Sequence, residues 1–285
     1  MKRTLLTLMM VVILPLSAIA QWGPKPIVVE LWPNGAPTSN GLTGPEIDRG
    51  THVSNVTNPT LTIYPASNPN GKAIIACPGG GYIDVWTQTE GHQMAEWYNA
   101  QGITYAVLKY RLPNGHKEVP LDDVFRAMDI MHERQAELGF TKLGIQGNSA
   151  GGHLASTAAT HFDCPEHRPD FQILYYPVIT FDPKYTHSGS VRYLIGENAP
   201  QELIDYYSNE KQVKADTPPA IIIHCTDDSL VPVQNAVNYY LALVEKGISA
   251  SLHVYPKGNH GFAFGDRFQY KRQWTEEVEK WLRSF

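Results

Sequence analysis

Short, unbroken apolar runs alternate along the chain with longer stretches in which apolar positions recur at helical spacing. The runs at residues 73–77, 103–108, 171–175, 220–225 and 251–255 have the character of strands covered on both faces. Between them, residues 91–100, 121–138, 233–245 and 273–282 read as helices; the second carries Val124, Ala127, Met128, Met131 and Leu138 on one stripe. Residues 61–64 alternate apolar and polar, which predicts an edge strand. Strands that alternate with helices imply an α/β fold with a mostly parallel central sheet and helices on both faces. Two stretches break the rhythm. Residues 21–58, rich in Pro, Gly, Asn and Thr, predict an irregular arm whose one strand is Ile27-Val28-Val29, and the polar, aromatic excursion 177–219 is too long for a connection and predicts a small cap or lid.

One junction of strand and helix carries unusual residues. The run that begins at Lys142 ends in Gly147-Asn148-Ser149-Ala150-Gly151, and helix-compatible sequence follows from His153. A serine on so sharp a turn is forced toward positive φ, and a side chain at Gly147 or Gly151 would collide with the neighbouring strand and helix. The strain lifts the Ser149 hydroxyl clear of the backbone, while the helix directs its free N–H groups and positive end at any oxyanion forming above.

Composition narrows the setting. With 285 residues, 42% hydrophobic and 18% charged, the chain can build one large core, so a single domain over residues 21–285 is expected. Residues 1–20 stand apart: Lys2 and Arg3, an apolar run from Leu5 to Leu16, then Ala18-Ile19-Ala20 match a cleaved secretory signal. The protein is therefore expected to be exported, periplasmic or extracellular, with no membrane anchor. Losing two of 23 basic residues against 28 acidic ones takes the formal net charge from −5 to −7, and no basic cluster follows, so nucleic acid is not an expected partner. Cys77, Cys164 and Cys225 are odd in number, and two of them close apolar runs as small buried residues do, so no disulfide framework is expected. His153, His161 and His167 lie near Asp163 and Cys164, but their spacing fits no common ligand template; they are read as packed or solvated side chains, with no metal and no cofactor.

In such a fold, reactive groups collect on the loops at the carboxyl ends of strands. A serine hydroxyl needs a base, and imidazole needs a carboxylate to hold its tautomer and stabilise its cation. The loop after residue 255 offers His260 as the base, and the loop after residue 225 offers Asp227 and Asp228. Counting back from Val231-Pro232 favours Asp228, which leaves Asp227 as a loop carboxylate.

Ser149, Asp228 and His260 follow the chain order of the α/β-hydrolase triad, and the chain resembles that family from about residue 61 to its end. Pro78-Gly79-Gly80-Gly81-Tyr82 resembles the His-Gly-Gly-Gly loop of its esterase and lipase branch, and Gly258-Asn259-His260-Gly261-Phe262 resembles the histidine loop. The resemblance implies that Gly80, Gly81 and Ala150 supply oxyanion-hole N–H groups. Pro78 stands where many relatives have histidine, which leaves the anchoring of the loop unassigned.

Leu31-Trp32-Pro33-Asn34-Gly35-Ala36-Pro37, with Tyr207-Ser208-Asn209-Glu210 and Asp216-Thr217-Pro218-Pro219, resembles exported bacterial acetyl-xylan-esterase-like enzymes. That resemblance implies a small-molecule or glycan ester, an acetylated xylan for example, as substrate. Tyr82 and Trp86 after the glycine loop, and Tyr185, Tyr206 and Tyr207 in the excursion, predict an aromatic rim able to stack on sugar rings. Two other readings stand beside the esterase. One is a serine peptidase of the prolyl-oligopeptidase type, whose acid loop is similar and for which Glu90 or Glu197 would recognise a peptide amine. The other is a hydrolase-fold binding protein without turnover.

Overall fold

The computed structural model of the chain describes residues 24–285, so the expected signal segment lies outside the described residues. The apolar runs become strands β1 (Ile27–Glu30), β2 (Ile47–Asp48), β3 (Val53–Ser54), β4 (Thr60–Tyr64), β5 (Gly71–Cys77), β6 (Asp84–Val85), β7 (Thr104–Lys109), β8 (Phe140–Asn148), β9 (Phe171–Tyr175), β10 (Ala220–Cys225) and β11 (Ala250–Tyr255). Eight of them form one sheet in the order β1-β4-β7-β5-β8-β9-β10-β11. From β7 to β11 every pairing is parallel, whereas β1 and β4 join antiparallel at one side.

The helices are α1 (Ala95–Ala100), α2 (Val119–Glu133), α3 (Gln135–Leu138), α4 (Ser149–Thr160), α5 (Ser188–Ile195), α6 (Gln201–Tyr206), α7 (Gln234–Glu245) and α8 (Lys271–Leu282). Successive residues of one strand feed opposite cores, as the pleat requires. Ile75 of β5 and Ile222 of β10 pack with Val124, Leu154 and Tyr239 from α2, α4 and α7. Ile74, Ile221 and Ile223 pack on the other face with Tyr98, Trp274 and Val278 from α1 and α8. The unbroken apolar runs are thus strands with two buried faces.

Three expectations are corrected. Residues 61–64 do not form an edge: β1 from the N-terminal arm pairs with β4 and takes that position, and the alternation reflects the face-by-face burial of Leu61 and Ile63. The long helix breaks at Arg134 into α2 and α3, and Gly139, at φ 68°, turns the chain into β8. The arm is also less irregular than its composition implies, because β2, β3 and β6 form a separate three-stranded sheet. Two-residue strands carry no period to read. The arm is fastened to the body by a buried ion pair: the Arg111 guanidinium donates to Asp123, whose carboxylate also accepts from Trp32 Nε1 at 2.6 Å.

The excursion 177–219 holds α5 and α6 and is tied to α4. Val178 N donates to Ser149 O at 2.9 Å, and the Asn209 side-chain amide donates to His153 O and Ser156 Oγ. Among the described residues no helix is long and apolar enough to cross a membrane.

Candidate active site

At the carboxyl end of β8 the chain turns directly into α4, with Ser149 at φ 52° as the first helical residue. The flanking glycines are required by contact. A Cβ on Gly147 would lie 2.2 Å from Gly151 O, and one on Gly151 would lie 2.0 Å from Cys77 O and 2.5 Å from Pro78 O. The two glycines let the serine turn nest between its own strand and the loop leaving β5.

The loops after β10 and β11 bring the partners. His260 Nε2 lies 2.8 Å from Ser149 Oγ, and His260 Nδ1 lies 2.7 Å from Asp228 Oδ2. With Nδ1–H donating to the carboxylate, Nε2 presents its lone pair to the hydroxyl. Burial acts to raise the Asp228 carboxyl, but hydrogen bonds from His224, His260 and the Val231 amide outweigh it and hold the group well below the usual carboxylate range. The neighbouring carboxylate does a different job: Asp227 Oδ1 accepts from the amides of Gly258 at 2.9 Å and Asn259 at 2.8 Å. In return Asn259 Oδ1 accepts from Ser229 N and Ser229 Oγ, so the acid and histidine loops are cross-braced.

The glycine loop lies against the serine; a Cβ on Gly79 would stand 2.8 Å from Ser149 Cβ. Gly80 (φ 130°) and Gly81 (φ 63°) occupy backbone conformations that favour glycine, and among the described residues neither N–H is taken up by a protein acceptor. The Ala150 N–H, in the first turn of α4, has no i−4 carbonyl to donate to within the helix. The anchoring left open by Pro78 comes from elsewhere. Tyr110 donates to Pro78 O at 2.8 Å, and Gly79 N donates to Glu90 Oε2 at 2.6 Å while Tyr176 donates to Glu90 Oε1 at 3.0 Å. Burial pushes the Glu90 carboxyl up, against those two donors and the nearby His260.

Glu90, engaged in this way, is not free to meet a peptide amine, and Glu197 is an exposed partner of Arg192. Tyr82 is also misread as a sugar contact: it is buried, and its hydroxyl donates to His153 Nδ1 at 2.9 Å. Trp86 is 38% exposed beside the loop and stacks on His52 with centroids 4.6 Å apart. Tyr206 packs on His161 just past the far end of α4, about 18 Å along the helix from Ser149, and Tyr207 is buried against His153, His161 and Phe181, so neither offers an exposed ring face to a sugar at the site. Sequence reasoning also missed His224, whose Nε2 donates to Val231 O at 3.0 Å and lies 3.3 Å from Asp228 Oδ2; its place beside a strand end was the one available signal. Of the histidine cluster, His153 is buried in the core, while Asp163, Cys164 and His167 come together at the surface with both His167 ring nitrogens facing carboxylates, Asp163 and Asp129. A cleft of about 960 Å³ opens beside His260, bordered by Gln93, Lys257, Asp266, Arg267 and Gln269.

The profile of the prolyl oligopeptidase family matches residues 92–285, which include the serine, acid and histidine loops. The chain belongs to that family. As a family member with an α/β-hydrolase fold, it superimposes on the crystal structure of an acetyl ester-xyloside bifunctional hydrolase from Caldicellulosiruptor lactoaceticus with a TM-score of 0.79 and 34% identity, covering 93% of this chain and 98% of that one. It is 41% identical over 230 residues to an acetylxylan esterase of Xylanibacter ruminicola and 40% identical over 206 residues to endo-1,4-beta-xylanase B of Butyrivibrio fibrisolvens. The matches cover 79% and 66% of this family member but only 48% and 32% of those proteins.

Proposed function

We propose that the protein is a serine carboxylesterase that removes small acyl groups, acetyl in the first instance, from xylan or a related glycan. The observation that carries this is the unbroken relay from Ser149 through His260 to Asp228 beside unpaired amide donors. Ser149 Oγ attacks the ester carbonyl carbon as His260 Nε2 takes its proton. The oxyanion sits on the N–H groups of Gly80, Gly81 and Ala150. The sugar alcohol leaves with the proton from His260, water repeats the attack, and acetate is released. Asp228 stabilises the transient imidazolium.

The acetylxylan esterase and the acetyl ester-xyloside hydrolase support the choice of substrate, and the cleft beside His260 has room for a glycan. Residues 177–219 act as a small cap, and Trp86 stacks on the sugar. We read the protein as exported after cleavage near Gln21; amino-terminal sequencing of the secreted form checks this.

The family's name favours a second reading, peptide-bond cleavage, and one assay separates the two. Parent protein is expected to hydrolyse p-nitrophenyl acetate and to release acetate from acetylated xylan, but to leave Ala-Pro and Gly-Pro anilides intact. Ser149→Ala is expected to lower ester turnover by roughly 10⁴-fold or more. Anilide cleavage without ester cleavage would reverse the assignment, and absence of both would leave a binding protein.

A further inference from the structure

His187 sits on the turn that leads into α5, where it caps the helix. Its Nδ1 accepts from Ser190 N at 3.2 Å and lies 2.9 Å from Ser190 Oγ. A backbone amide can only donate, so Nδ1 must carry the lone pair, and the single proton of the neutral ring is on Nε2. That Nε2–H has no partner among the described residues, although the ring is partly buried.

The ring is seated on the oxyanion loop. A Cβ on Gly81 would lie 3.4 Å from His187 Cε1, at contact distance, and one on Gly189 would lie 2.9 Å from the same atom, so the imidazole rests against Gly81 and the absent side chain of Gly189 makes room for it. Burial, followed by the nearby charge of His260, lowers the basicity of His187, with Asp228 acting the other way. A neutral ring adds no positive charge to compete with the imidazolium that forms on His260 during the reaction. The hydrogen-bond partner that this donor would meet follows from the ester itself. The acyl oxygen is already served by amide N–H groups, and an acetyl methyl has no acceptor, so the remaining oxygens beside Gly81 belong to the alcohol half.

We propose that His187 is a substrate-contacting, specificity-determining residue whose Nε2–H donates to a hydroxyl or ring oxygen of the sugar next to the acylated carbon. This rests on the esterase reading. It assigns to the start of the 177–219 excursion the recognition of glycan esters over esters of simple alcohols.

The test compares kcat/KM on acetylated xylo-oligosaccharides with kcat/KM on p-nitrophenyl acetate for the parent, His187→Ala and His187→Gln. His187→Ala is expected to lower the ratio of the first to the second by about tenfold, the typical effect of losing one neutral hydrogen bond to substrate. His187→Gln, whose side-chain amide can still donate, is expected to recover part of the ratio. An unchanged ratio in both variants, whether from equal loss on the two esters or from no loss, overturns the proposal; so does a glutamine variant with a ratio below that of alanine. A parent protein that cleaves neither ester removes the esterase reading along with this one, whereas a parent that cleaves both and a ratio that does not move remove this one alone.

Discussion

Asp227 and Asp228 are adjacent, chemically identical and on the same loop, yet one faces the imidazole and the other faces two backbone amides. Asp228→Asn can no longer hold the imidazole in the productive tautomer, and ester kcat should fall by about 10⁴-fold. Asp227→Asn keeps an oxygen acceptor for the Gly258 and Asn259 amides, and its loss should stay within about tenfold, as expected for a bracing role outside the proton path. Steady-state kinetics on p-nitrophenyl acetate with both variants, folded by circular dichroism, checks the pair. At this scale the sequence identified the residue types and spacing of the relay, since each member follows a strand end. It did not identify the neighbours that hold them. Glu90 reads as a candidate partner for a peptide amine and Tyr82 as a sugar platform until burial is known; His187 has no local pattern that separates it from an ordinary packed histidine, and His224 has only its place beside a strand end.

Among the elements, the strand-to-helix turn at Ser149 is the most constrained. Gly151→Ala would drive a methyl into Cys77 O and Pro78 O, backbone atoms that can yield only if β5 and the glycine loop shift. Loss of ~1–3 kcal/mol of stability is expected from the overpacking, together with a fall in kcat as the oxyanion donors move. Urea denaturation and ester kinetics on the same variant measure the two effects. This element was legible because glycine, serine and a buried strand coincide within a few residues. The position of β4 was not: whether an alternating strand lies at an edge depends on what the distant arm does, and Ile27–Glu30 pairs with it only in the folded sheet. The break between α2 and α3 was hidden because Met131 and Leu138 continue the same apolar stripe across it.

For the molecule as a whole, acid is the expected weakness. His153 is buried between Tyr82, which donates to its Nδ1, and the Tyr207 carbonyl, which accepts from its Nε2 at 2.8 Å, and its ring stacks on Phe181. Burial outweighs these bonds and pulls its pKa down to about 3. An unfolded chain takes up this proton near pH ~6.5, so the neutral-histidine contribution is complete above that value and is lost as the pH falls toward 3. Asp228 works in the same direction lower down, because its depressed pKa stabilises the fold above the ordinary carboxylate value and less below it. Unfolding free energy should therefore drop by ~2–3 kcal/mol through His153 alone between pH 7 and about 4.5. Urea titrations at the two pH values check it, and His153→Gln should flatten the slope.

The hydrogen bonds that Asp227 accepts from Gly258 and Asn259, and that Asn259 accepts from Ser229, tie the loop of the base to the loop of its acid. Anyone grafting a histidine loop from a relative into this scaffold would need to carry the aspartate loop with it, since either transplanted alone would arrive without its counterpart and the register of the proton relay would be lost.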